Sequence, residues 1–142
     1  MSIEARPYDA DSTCGEQDEL RTRVWKLEDR LFMFDEVPVQ TPFTIDVLFD
    51  RLEELTAGLD DFAYVVDLSL VKRPDARVRE RLRERVTRIR PRLTHVAAVV
   101  GGNAVIRAVA RLAAFAIGFR SFTIHASLNE AVEACRRALQ QQ

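Results

Sequence analysis

Carboxylates, a hydroxyl and cations meet in one short stretch, YVVDLSLVKRPDAR, from Tyr64 to Arg77. An apolar run ends in Asp67-Leu68-Ser69, Lys72 and Arg73 follow, and Pro74-Asp75 leads into a helical sequence at Ala76 and Arg77. A strand feeding a helix in this way sets the free N–H groups of a helix N-terminus beside two cations. That is the chemistry that holds a phosphate or a carboxylate. A second segment of the same kind, Gly101-Gly102-Asn103, precedes another helical run, in which Arg107 and Arg111 fall one and two turns along. Asp67, Ser69, Lys72, Arg73, Asp75, Arg77, Asn103 and Arg107 are therefore the candidate residues for a protein partner or a small acidic ligand. A plainer reading stands beside this one: Asp67 and Ser69 bond the local backbone of a turn, and Gly-Gly-Asn is a tight turn with an N-cap.

Catalytic groupings are absent from the sequence. The nucleophile and base types reduce to His95, His125, Cys14, Cys135 and scattered carboxylates, with no C-x-x-C, H-x-x-E-H or G-x-S-x-G. His95 opens one strand and His125 closes another, which predicts opposite edges of a sheet and no shared metal. Cys135 falls on the inward side of a helix, where a free thiol is an inert core group. The expectation is a non-enzymatic protein without metal or cofactor.

Bulk properties narrow the class further. The chain has 142 residues, 47% hydrophobic and 30% charged, enough for one domain with a real core. Its 21 Lys plus Arg against 22 Asp plus Glu give a formal charge of -1, so no global field favours nucleic acid or an acidic membrane. Two cysteines make no disulfide framework, and the longest apolar segment, Ala108 to Phe119, is broken by Arg111 and too short for a bilayer. These features predict a soluble, cytoplasmic chain with no membrane span.

The elements that must position the candidate residues follow from periodicity. Residues 1–20 carry six acids against Arg6 and few apolar groups, which predicts a mobile acidic tail and a domain over 21–142. RVWKLEDRLFMFDEV reads as a β-hairpin turning at Glu28-Asp29-Arg30. Thr41-Pro42 caps an amphipathic helix bearing Ile45, Leu48, Phe49, Leu52 and Leu55, and Phe62–Leu68 is a strand covered on both faces. Pro74 opens a helix with Val78, Leu82, Val86, Ile89 and Leu93 on one stripe, THVAAVV is a second central strand, and an apolar helix runs to about Ile117. SFTIH is the last strand. Ser127 and Glu130 then cap a helix with Leu128, Ala131, Val132, Cys135 and Leu139 facing inward. The order β-β-α-β-α-β-α-β-α predicts an α/β fold: a mostly parallel sheet of about five strands with an N-terminal β-hairpin, its strand-to-helix loops gathered at the carboxyl edge.

The element order, the segment VVDLSLV and the helix starting near an aspartate resemble the STAS superfamily, the anti-sigma-factor antagonist fold, over Val24 to Leu139. Many members read D-L-S, then D-S-S-G-L, whose second serine is phosphorylated by a partner kinase. Here Asp67, Leu68 and Ser69 match the first triplet and Asp75 the later aspartate. Ala76 and Arg77 replace the two serines and Val78 the glycine. With no hydroxyl to modify, the phosphorylation switch is absent. The resemblance implies a bacterial-type regulatory protein-interaction module whose partner is an anti-sigma or kinase-like protein. It extends to the CRAL-TRIO-type lipid carriers, which implies the alternative of a lipid or nucleotide carrier with its site against the apolar third helix. That helix also offers a homodimer face.

From Arg73 to Arg92 the chain carries nine arginines. On a helix Arg77, Arg81, Arg85, Arg88 and Arg92 flank one side of the apolar stripe and Arg79, Arg83 and Arg90 the other, two basic rails suited to an acidic surface or to the acidic tail. The plainer alternative is a solvated face with Glu84–Arg88 pairing. Without interleaved aromatic residues the rails do not favour nucleic acid.

Overall fold

The computed structural model describes residues 14–101 and 118–141. Helix α1 (Cys14–Arg21) precedes a hairpin of β1 (Val24–Glu28) and β2 (Leu31–Asp35). Next come α2 (Pro42–Leu55), β3 (Phe62–Asp67), α3 (Ala76–Ile89), a 3-10 turn at Arg90–Arg92 and β4 (Leu93–Val99). After the undescribed 102–117 come β5 (Phe122–His125) and α4 (Leu128–Gln140). The sheet order is β1-β2-β3-β4-β5, antiparallel only at β1–β2, as the α/β reading expected.

Each face of the sheet has its own core, because strand residues alternate sides. One face sets Phe32, Phe34, Phe62, Tyr64, Val66 and Val96 against Ile45, Leu48, Phe49 and Leu52 of α2 and Val78, Val86 and Ile89 of α3. The other sets Leu31, Met33, Ala63, Val65, Ala97 and Val99 against Ala131, Cys135 and Leu139 of α4. Each fully buried side chain of this size contributes roughly 1.5–3 kcal/mol over its exposed state. The N-caps are where the sequence placed them. Thr41 accepts from the Thr44 N–H while Thr44 Oγ1 accepts from the Thr41 N–H, and Ser127 Oγ accepts from the Glu130 N–H.

Three local expectations are revised, and the hairpin turns where expected. Residues 14–20 of the expected tail belong to helix α1, because Leu20 inserts into the core and the following Arg21 pairs with Glu54 at 2.7 Å; residues 1–13 lie outside the described region. Leu93 opens β4 rather than closing the α3 stripe, since Pro91 converts the helix end to a 3-10 turn. Leu128, expected inward, is 45% exposed. The hairpin turns without glycine because Arg30 takes the left-handed conformation at φ 65°, its guanidinium 2.6 Å from Asp61 Oδ2.

Candidate functional site

Parallel strands end at one rim, and their last residues stand in register: Asp35 beside Asp67, Asp67 beside Val99, and Val99 beside His125. Ser69 and His125 therefore belong to the same edge of the sheet. Asn103 and Arg107 lie outside the described residues, as do the third helix and the carrier site and dimer face expected against it.

The β3–α3 loop at this rim is built by local bonds. Asp67 Oδ1 accepts from the Ser69 N–H at 2.9 Å, the backbone role that the plainer reading assigned to it. The Leu68 N–H donates to the Val99 carbonyl and the Val71 N–H to the Leu68 carbonyl. The Lys72 N–H donates to the Pro38 carbonyl at 2.9 Å, tying the loop to the segment after β2. Asp75 caps α3 by accepting from the Val78 N–H at 2.9 Å. These bonds hold both ends and the middle of the loop.

That tip carries an apolar group and cations together. Leu70 is 78% exposed, and Ser69, Lys72, Arg73 and Arg77 of the same stretch are exposed as well. Arg77 stands 3.8 Å from Asp75, and Lys72 and Arg73 have no ion pair among the described residues. Sequence reading named the cations but passed over Leu70, whose signal was an isolated leucine between turn residues.

The arginine helix spends its charge elsewhere. Arg85 is 5% exposed and bonds Asp46, Asp50 and Glu53, three carboxylates at one-turn spacing on α2. Arg88 pairs with Glu53 rather than Glu84, Arg81 with Asp46 and Glu84, and Arg83 with Glu80. Arg92 donates to the Thr56 and Leu59 carbonyls with its guanidinium 5.2 Å from the Phe62 ring centroid. From Arg81 to Arg92 the flank read as a basic rail is bonded to α2 and its C-cap, and Arg77 faces out.

His95 lies toward the start of β4 and His125 at the carboxyl rim, the opposite ends that the sequence predicted, yet on one face of the sheet both meet the Thr123 hydroxyl between them. Behind the rim Glu36 is buried, and that burial pushes its carboxyl up to about 7 against the bonds from the Val37 N–H and Gln40 and the charge of Arg23. Burial foremost, with Asp67 nearby, also raises Asp35 against the pull of Arg23. Burial pushes the Cys135 thiol up to about 12, leaving it a core group. Among the described residues no cluster of three or more His, Cys, Asp or Glu could hold a metal, and no helix is long and apolar enough to cross a membrane.

No protein-family model and no curated protein matches the chain. Among solved structures it is similar to an uncharacterized protein of the DUF3478 family from Shewanella loihica PV-4, described as having a SpoIIAA-like fold. The superposition gives a TM-score of 0.65 at 14% identity, over 79% of this chain and 90% of that one. With its hairpin start, parallel centre and two-sided helical cover, this chain has a SpoIIAA-like fold of the STAS type.

Proposed function

We propose that the chain is a regulatory protein-interaction module without enzymatic activity, and that it engages its partner through the β3–α3 loop and the first turn of α3. The observation that carries this reading is Leu70, 78% exposed in a loop held by backbone bonds that also bears the exposed Lys72 and Arg73 and leads into the exposed Arg77. An ordered apolar knob among cations fits a partner surface that offers a small apolar recess rimmed by carboxylates. Ordering has already been met in the free chain, so binding loses little entropy there. Ala76 and Arg77 supply no hydroxyl, so control of the contact lies with the partner or with solution conditions rather than with phosphorylation at this turn.

The test is capture of cellular partners by the natural chain and by a Leu70→Asp, Lys72→Glu, Arg73→Glu variant. Circular dichroism verifies that the two are equally folded. The variant is expected to lose at least tenfold in retention of the partner that the natural chain holds. Equal retention of every captured protein would remove this surface from consideration.

A further inference from the structure

Along β5 the alternation Ser121-Phe122-Thr123-Ile124-His125 sends three polar side chains to one face, and His95 on β4 stands level with Ser121. His95 Nδ1 is 2.6 Å from Ser121 Oγ and its Nε2 is 2.8 Å from Thr123 Oγ1. The same threonine oxygen is 2.6 Å from His125 Nε2. Four groups thus form one hydrogen-bonded chain from the start of β5 to the carboxyl rim. Its inner ring, His95, is 5% exposed, and its outer ring, His125, lines an open groove of about 750 Å³ along α4.

With both rings neutral, every link is satisfied in either of two senses. Ser121 donates to His95, His95 to Thr123 and Thr123 to His125, or each bond runs the other way. One proton is accommodated without losing a link. Charged His125 donates to Thr123, Thr123 donates to His95 Nε2, and His95 Nδ1–H donates to Ser121. A second proton breaks the pattern: both rings now donate to Thr123 Oγ1, whose own hydrogen loses its acceptor in the chain, and two positive rings face one oxygen.

We propose that Ser121, His95, Thr123 and His125 form a single-proton switch, in which a second proton loosens β5 from β4 at the carboxyl rim. The surroundings set the order of charging. His95 stands beside Ala63 of β3, on the sheet face that packs Ala131, Leu139 and the protonated Cys135 thiol of α4, and none of these residues offers a countercharge. His125 shares its groove with Glu28, Glu130, Glu133, Arg136 and Arg137, where Glu28 is held by Arg136 at 2.9 Å. His125 lies at the open groove and His95 within the core, so a proton enters the chain from the His125 end. Burial, and next the nearby His125, lower His95 below the ordinary histidine range. Because the folded chain binds this proton more weakly than the unfolded one, stability is full above about pH 6.5 and falls as the pH drops below it.

The mechanical consequence falls on two backbone bonds, the Val96 N–H to the Ser121 carbonyl at 3.1 Å and the Val100 N–H to the His125 carbonyl at 3.0 Å. They fasten β5 to β4 at the two ends of the polar chain. This device stands apart from the partner surface and does not depend on it.

Long-range ¹H–¹⁵N spectra of the full chain between pH 4.5 and 8.5 follow both rings, and amide hydrogen exchange follows Val96 and Val100. His125 is expected to take up the first proton and His95 to charge only at lower pH. Val96 and Val100 should lose at least tenfold in protection as His95 charges, while the Ala63 amide on β3 holds. In His125→Asn the His95 midpoint is expected to rise. In Thr123→Val the His95 nitrogen shifts should stop responding when His125 titrates. Independent titrations with an unmoved His95 midpoint in His125→Asn, or constant Val96 and Val100 protection through the acid step, would overturn the switch.

Discussion

Two buried ionisable residues in this chain solve the same problem in opposite ways. Arg85 keeps its charge: burial works against it, but bonds to Asp50, Glu53 and Asp46 more than compensate, holding its pKa above the ordinary arginine value. Arg85→Ala would leave three carboxylates crowded on α2. The expected loss is roughly 2–3 kcal/mol by urea unfolding, less than for a fully enclosed pair because the acids reach solvent. Glu36 instead favours its neutral form. With its carboxyl pushed up to about 7, the stability tied to it is full below about pH 4.5 and is lost as pH rises through 7, on the order of 3 kcal/mol in all. Glu36→Gln imitates the protonated acid and still accepts from the Val37 N–H. It should therefore flatten the urea midpoint between pH 5 and 8 and exceed the natural chain above pH 7. Neither environment is written in the residue's own neighbourhood: Arg85 reads as one of nine arginines, and Glu36 as one more acid after a strand.

At the scale of elements, caps and periodicity carried most of the information. Thr41 and Ser127 each satisfy helix N–H groups from within a few residues, so their positions were legible without a fold, whereas α3 starts at Ala76 behind the Asp75 cap rather than at the Pro74 expected to open it. Helix α1 was not, because a short acidic helix has no intrinsic persistence and exists here through contacts far along the chain. Leu20 is fully buried and Arg21 grips Glu54 through two bonds at 2.9 and 2.7 Å. Leu20→Ala is accordingly expected to cost about 2–4 kcal/mol in urea unfolding, as a core truncation does, whereas substitution in a solvated tail would cost nothing measurable. The arginine stripe was visible as a stripe, but its acceptors, Asp46, Asp50 and Glu53, belong to another helix and are matched to it only when α2 and α3 lie side by side.

For the whole molecule, the parallel order β2-β3-β4-β5 turns distant stretches into one rim. Asp35, Asp67, Val99 and His125 line up across four strands although ninety residues of sequence separate the first from the last. That architecture followed from the sequence, because single helices between apolar strands force parallel pairing and same-edge loops. So did the rim position of the Asp67–Asp75 loop and the missing hydroxyls at 76 and 77. The sequence left open which cations stay available. Lys72 and Arg73 keep their charge for solvent while Arg81, Arg85 and Arg88 spend theirs on α2, and that division depends on which helices touch. It also left the link between the histidines unseen, since strand ends predict edges but not the lean of side chains toward a shared hydroxyl. Local sequence thus determined the elements and their order through short-range bonding and hydrophobic period. Tertiary packing alone decided which polar groups are paired, buried or left facing out, because those fates depend on neighbours that only folding brings within reach.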